Sequence, residues 1–115
     1  MKATFVELPP FERLRETYLD DIAFKRMQEE MMKNPYAGDV IRDTGGLRKL
    51  RYADLRRGKG KRGGLRIIYF FRTENDQFWL FTVYDKDEAD DLSADQRKAL
   101  RHRLELEIRV RSTKQ

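Results

Sequence analysis

The chain of 115 residues contains no cysteine, a single histidine and only three prolines. Without cysteine, the chain has neither disulfides nor thiolate metal sites. The lone His102 excludes a histidine-rich metal cluster and a ribonuclease that works with two histidines. No apolar run approaches the ~18 residues that a membrane span needs, and the N-terminal residues do not resemble a signal peptide. We therefore expect a cytoplasmic protein with no metal, no other cofactor and no membrane attachment.

Charge, in contrast, is plentiful and unevenly distributed. Charged residues make up 39% of the chain and hydrophobic residues another 39%, which is enough for the core of one domain over residues 1–115. Residues 42–72 carry eleven basic and two acidic side chains, a net charge of +9, although the whole chain carries only +5. A solvated surface does not need such asymmetry, so the pattern indicates a polyanionic partner for this segment.

The periodicity of apolar residues predicts an α+β fold with the order β-αα-βββ-α. Strands are predicted over residues 4–8, 47–53, 65–72 and 78–84, helices around Phe11 and Met27, and a last helix after Ser93. We expect an N-terminal helical hairpin packed on an antiparallel sheet. Asp20 or Asp21 is a candidate cap for the second helix, and Ser93 with Gln96 forms a capping-box signature for the last helix.

A loop rich in glycine and basic residues precedes the strand that begins at Leu65. It reads Gly58-Lys59-Gly60-Lys61-Arg62-Gly63-Gly64, and Arg66 follows directly. Glycine allows the backbone to approach a ligand closely, and lysine and arginine neutralise phosphates. The loop therefore predicts a site for a polyanion at the mouth of the sheet.

The stretch from Lys59 to Tyr69, the segment Thr82 to Glu88 and the segment Thr44 to Lys49 together resemble the RelE/HigB family of bacterial toxins, with the HigB-type pattern. The resemblance covers nearly the whole chain. It implies the RelE-like fold and an mRNA interferase, an endoribonuclease that cuts messages in the ribosomal A site and so inhibits translation. It also implies a cognate antitoxin, which is expected to carry a DNA-binding helix-turn-helix. The toxin would contact operator DNA only through this antitoxin.

The resemblance assigns catalytic roles to four residues. Lys59 and Lys61 match the two active-site lysines of the family pattern, and Arg66 matches its arginine at the start of a strand. Lys86 stands where the pattern has a second catalytic arginine. Leu92 stands where it has a catalytic tyrosine, and Asp85 replaces a glycine, so the proton donor and the cutting geometry are open.

The chemistry of these residues is compatible with cleavage of RNA. A base must take the proton of a 2′-hydroxyl, cations must stabilise the phosphorane, and an acid must protonate the departing 5′-oxygen. A free lysine with a pKa of about 10.4 is a poor base, but each cation about 6 Å away lowers that pKa by about one unit. Either Lys59 or Lys61 is the predicted base, Arg66 the phosphate clamp and Lys86 an electrostatic support.

Further residues are expected to bind the 70S ribosome and its mRNA. These predicted RNA-binding residues are Arg48, Lys49, Arg51, Arg56, Arg57, Arg62 and Tyr84. The cations would provide affinity and orientation rather than sequence recognition, and Tyr84 could stack on a base. In the last helix, most charges are typical of a solvated face, although Arg97, Arg101 and Arg103 could contact ribosomal RNA.

Two other functions remain open from the sequence. ParE-type toxins share the fold and poison DNA gyrase, but they lack the paired lysines that this chain has at Lys59 and Lys61. A non-catalytic nucleic-acid-binding module would use the basic segment 42–72 and leave messages intact. Codon preference, cleavage of free RNA, the oligomeric state and the way in which the antitoxin acts are not indicated by any pattern.

Overall fold

The computed structural model describes residues 2–54, 58, 60, 64–86 and 91–113. Within them lie five strands and three helices. In chain order these are β1 (Thr4–Glu7), α1 (Pro9–Tyr18), α2 (Asp21–Lys33), β2 (Asp39–Val40), β3 (Arg48–Tyr52), β4 (Leu65–Arg72), β5 (Gln77–Asp85) and α3 (Ala94–Thr113). The predicted α+β class and the order of the predicted elements are confirmed.

The sheet has the strand order β1-β5-β4-β3-β2. The pairs β2–β3, β3–β4 and β4–β5 are antiparallel, but β1 pairs in parallel with β5, with Thr4 opposite Gln77. The sheet is therefore mixed, which corrects the expectation of an antiparallel sheet. The two-residue edge strand β2 has no counterpart in the prediction because Asp39 and Val40 are both exposed and show no alternation.

Local signals set the helix boundaries. Pro9 and Pro10 occupy the first turn of α1, where backbone N–H groups have no partner within the helix, so the missing N–H of proline costs nothing. Asp20 caps α2, since its carboxylate accepts a hydrogen bond from the Ala23 N–H at 2.8 Å. The capping box of α3 is confirmed in both directions: the Ser93 N–H donates to Gln96 Oε1 at 2.8 Å, and the Gln96 N–H donates to Ser93 Oγ at 3.1 Å.

The helical hairpin α1–α2 covers one face of the sheet with a closed apolar core. Phe11, Met27 and Met31 from the helices are fully buried against Tyr69 and Phe78 of the sheet. Met27 and Met31, four residues apart on α2, are therefore core residues. This face leaves little room for a ligand, so it positions the sheet rather than forming a site.

Helix α3 covers part of the opposite face. Its Leu104 is 1% exposed and packs with Ile68 and Trp79. Trp79 lies between two guanidinium groups, with Arg72 Cζ 5.5 Å and Arg111 Cζ 5.4 Å from its ring centroid. Charged contacts therefore supplement a modest apolar contact in holding α3 to the sheet.

Candidate functional site

The central strands bring predicted site residues from three strands together on the face that α3 partly covers. In the pairing register, Arg66 of β4 lies opposite Arg51 of β3 on one side and opposite Tyr84 of β5 on the other. Lys49 lies opposite Ile68, two residues from Arg66 along β4. Alternation along a strand places these residues on one face. We call the set Lys49, Arg51, Arg66 and Tyr84 the cationic face.

Two arginines directly opposite each other on adjacent strands repel and reduce stability. Arg51 is exposed, whereas Arg66 is only 4% exposed and its Nη1 donates to the Leu65 carbonyl at 3.1 Å. Arg66 also makes further interactions within the protein. The exposed Arg51 is therefore the cation of this pair that is presented to an anion at this end of the sheet.

Tyr84 lies beside Arg66, half-buried. Its hydroxyl oxygen is buried and finds no hydrogen-bond partner among the described residues. Burial raises the pKa of Tyr84 above its usual value, and the Arg66 charge offsets part of that rise. The phenol therefore stays protonated at neutral pH, where it is a potential hydrogen-bond donor.

Lys86 and Gly64 join the end of β5 to the basic loop. The Lys86 N–H donates to the Gly64 carbonyl at 3.2 Å, next to the start of β4. Gly64 is buried, and a side chain there would meet the Tyr52 carbonyl and the Gly60 carbonyl. This close backbone contact explains why glycine closes the loop, and it places Lys86 at the same end of the sheet as the cationic face.

Several predicted residues lie outside the part of the chain that the structure describes. These are the catalytic candidates Lys59 and Lys61 and the binding candidates Arg56, Arg57 and Arg62. Their neighbours Asp54, Gly58, Gly60 and Gly64 are described, so the ends of the loop are known. The roles of the five residues stay predictions.

Arg48 is separated from the other predicted cations of β3. Its Nη1 donates to the Tyr36 carbonyl at 2.9 Å, and its guanidinium carbon lies 5.2 Å from the Tyr36 ring centroid. It shares the α1–α2 face with Tyr69, whose hydroxyl donates to the Ala37 carbonyl at 2.6 Å. Arg48 and Tyr69 thus both hold the segment before β2.

Asp91 and Leu92 form the link between the cationic face and α3. Lys49 Nζ lies 3.7 Å from Asp91 Oδ1, and the Asp91 carboxylate accepts a hydrogen bond from the Leu92 N–H at 2.8 Å. The hydrogen bond from the Leu92 N–H and the Lys49 charge hold the pKa of Asp91 below its usual value. Arg97 of α3 donates through Nη1 to the Leu92 carbonyl at 2.7 Å.

Sequence reasoning missed this link because Asp91 is one of several acids in residues 85–91, and the sequence does not indicate which of them pairs with a cation. In the described residues, no group of three His, Asp or Glu side chains is placed to hold a metal ion. None of the described helices is long and apolar enough to cross a membrane.

Fold and site together define a small α+β protein with a cationic sheet face that suits a phosphate-bearing polymer. Over residues 9–112, the chain matches the family described as the RelE toxin of the RelE / RelB toxin-antitoxin system. The chain belongs to the RelE toxin family, and is thus the toxin of a toxin-antitoxin pair with a cognate antitoxin as partner.

A solved structure has a similar fold. It is the E. coli toxin RelE in the free state, in a variant with two arginines replaced by alanine. The similarity covers 78% of this chain and 90% of that chain, with a TM-score of 0.53 and 14% sequence identity. At that identity, the match establishes the shared fold.

Proposed function

We propose that the protein is a ribosome-dependent endoribonuclease of the cytoplasm that cuts mRNA in the A site and thereby inhibits translation. Membership of the RelE family supports the assignment. The observation that carries it is the Arg51–Arg66 pair beside Tyr84 and next to the base of the glycine-rich loop. The exposed Arg51 and the basic residues of the loop carry positive charge that an RNA phosphate can neutralise.

In the proposed reaction, the 2′-hydroxyl oxygen attacks the adjacent phosphorus while Lys59 or Lys61 accepts its proton. The bond from phosphorus to the 5′-oxygen then breaks, and that oxygen takes up a proton. The products are a 2′,3′-cyclic phosphate and a 5′-hydroxyl, and the step needs no oxidant and no metal. Fixed cations stabilise the phosphorane because they need not reorganise as charge develops.

Arg66 and Lys86 supply part of this charge in the proposal. Arg66 is almost fully buried, so a phosphate that reaches its guanidinium must displace the groups that cover it. Lys86 is tied through its backbone to Gly64, so it stays at the mouth of the loop when RNA enters.

Cleavage of mRNA on programmed 70S ribosomes tests the function. Wild-type protein should yield fragments with 5′-hydroxyl ends at A-site codons. Lys59→Gln, Lys61→Gln and Arg66→Gln should each slow cleavage by about 10²–10³-fold. Lys25→Gln is the matched control, because Lys25 is exposed on α2 on the other side of the sheet.

Three results would overturn the proposal. Wild-type rates in all three variants would remove the catalytic assignment. Intact messages together with loss of supercoiling by DNA gyrase would favour the ParE-type function instead. Binding of RNA without cleavage would leave a nucleic-acid-binding module.

A further inference from the structure

Helix α3 has two unlike flanks. On one flank Arg103 and Arg111 both direct their Nε groups to Glu107, at 3.0 Å each, so their charges are partly neutralised. On the other flank Arg97, Lys98 and Arg101 recur at helical spacing and face the turn 41–46. Between the helix and the turn lies a pocket of about 280 Å³, lined by Asp43, Ala94, Arg97, Lys98 and Arg101.

The walls of this pocket are fixed by contacts outside it. The buried Thr44 hydroxyl donates to the Ile41 carbonyl at 2.6 Å, which closes the turn. Leu104 of α3 packs beside Gly45, where a side chain would lie 3.7 Å from Leu104 Cδ2. On the helix side, Arg97 is held by its hydrogen bond to the Leu92 carbonyl. The cations are therefore partly positioned before any ligand arrives.

The pocket keeps a positive balance. Asp43 is its one carboxylate against three cations among the lining residues. Arg101 also pairs with Glu105 at 3.8 Å, but both side chains are about half exposed, and such surface pairs contribute little. Three cations around one pocket match a phosphate group and exceed what a single carboxylate can neutralise.

The pocket is linked to the cationic face through the segment before α3. Arg97 contacts Leu92, and the adjacent Asp91 pairs with Lys49, which shares its face with Arg66. A nucleic-acid backbone presents phosphates at regular intervals, so two cationic surfaces on either side of this link suit it better than they suit a single small anion. An acidic protein segment lacks that regular spacing, which makes RNA the favoured partner.

We propose that the pocket of Arg97, Lys98 and Arg101 is a second phosphate site, which holds backbone phosphates of ribosomal RNA away from the point of cleavage. The inference rests on the proposed ribosomal function and extends it to a surface outside the catalytic loop. The site would add affinity and orientation, and Asp43 would limit how tightly the protein holds the ribosome.

Sedimentation with 70S ribosomes over a range of KCl concentrations tests the site. Lys98→Gln/Arg101→Gln should weaken binding by about tenfold or more at low salt and reduce the slope of log K against log salt by about 2. The matched control, Arg13→Gln/Arg109→Gln, removes the same net charge from exposed positions outside the pocket and should leave affinity and cleavage unchanged. Asp43→Asn removes the one carboxylate that lines the pocket, so this variant should bind more tightly. Asparagine tolerates the positive φ of 63° at this position, so the turn should be preserved.

The outcomes separate this inference from the proposed function. Suppose that wild-type protein binds ribosomes without cutting mRNA, and that the slope of log K against log salt is still smaller for the double variant. The second site is then supported and the catalytic proposal fails. If wild-type protein cuts mRNA and the double variant behaves like its control, the second site is wrong. If the double variant loses binding to a polyglutamate peptide but still binds ribosomes like the wild-type protein, the pocket would be assigned to an acidic protein and the RNA assignment would be overturned.

Discussion

The two faces of the sheet are covered in different ways. The α1–α2 hairpin seals its face with fully buried apolar side chains such as Phe11, Met27 and Phe78. Helix α3 contributes Leu104 as its one fully buried apolar residue among those described, and it leaves Leu106 44% exposed beside a groove of about 710 Å³ along β5. One face therefore stabilises the fold, and the other keeps surface available for ligands.

The same contrast holds for charge. On the α1–α2 face, Arg48 is tied to backbone carbonyls and supports the local structure. On the α3 face, the exposed Arg51 lies opposite the buried Arg66 in the pairing register. Arg51 therefore remains available to a ligand, whereas Arg48 serves the local structure.

The largest difference between the faces should appear when one buried side chain is removed from each. Phe11→Ala should lower the free energy of unfolding by about 3–5 kcal/mol. Leu104→Ala should cost only about 2 kcal/mol, because the cavity lies beside the open groove and can relax. Urea denaturation followed by far-UV circular dichroism measures both. Equal losses would show that α3 stabilises the fold as much as the hairpin does.

The fluorescence of Trp79, the single tryptophan, provides a second measurement for this pair. Trp79 lies beneath α3 between Arg72 and Arg111. In Leu104→Ala, its emission should change at a lower urea concentration than the circular dichroism signal does. Coincident transitions would contradict the separate loss of α3 from the sheet.

The next largest effect is expected from a substitution of Gly64, the glycine that closes the basic loop. In Gly64→Ala, the new Cβ would lie 2.7 Å from the Gly60 carbonyl oxygen and close to the Tyr52 carbonyl, which should cost about 1–3 kcal/mol and displace the loop. Gly60→Ala is the control, because no heavy atom of the described residues lies within 4 Å of its added Cβ. Thermal unfolding and the cleavage assay should both distinguish the two variants, and identical behaviour would argue against a fixed loop base.

On the α1–α2 face, Tyr69→Phe removes a hydroxyl that donates to the Ala37 and Pro35 carbonyls. The loss should lower the free energy of unfolding by about 1–2 kcal/mol near pH 7. Burial raises the pKa of Tyr69 to about 12. The unfolded phenol ionises near pH 10, so the wild-type advantage should shrink as the pH rises above 10. Urea denaturation at about pH 7 and pH 11 checks this; a constant difference would contradict it.

The smallest effect is expected at the link to α3. Lys49→Met removes the ammonium group beside Asp91, so the pKa of Asp91 should rise towards its usual value, although the Leu92 N–H continues to hold it down. Because the folded pKa is lowered, the contact stabilises the protein at higher pH and is lost as the pH falls through the folded pKa. Carboxyl titration by NMR measures this change. If the pKa of Asp91 were the same in Lys49→Met and in the wild-type protein, the ion pair would not contribute to the link.

Local patterns predicted the elements well because each carries its own signal. The strand predicted over residues 65–72 and the caps predicted at Asp20 and Ser93 depend on patterns within a few residues, and the structure confirms them. Strand alternation also indicates that Arg48 lies apart from Lys49 and Arg51, although the sequence prediction grouped the three cations by charge alone.

Pairings between distant segments could not be predicted in this way. The parallel contact of β1 with β5 depends on the whole topology, and no residue of Thr4–Glu7 identifies its partner. The pocket of Arg97, Lys98 and Arg101 likewise needs the turn at Asp43 to approach α3. The sequence thus predicts which residues are cationic, and the fold decides which of them share a surface.

The parallel pairing of β1 with β5 has a consequence for the order of folding. β1 stands near the start of the chain, and its partner follows only after every other strand has been made. During synthesis the hairpin α1–α2 can form early, but the first strand must wait unpaired until residues 77–80 emerge. The five-stranded sheet therefore cannot be completed in the nascent chain until β5, its last strand in sequence order, has been synthesised.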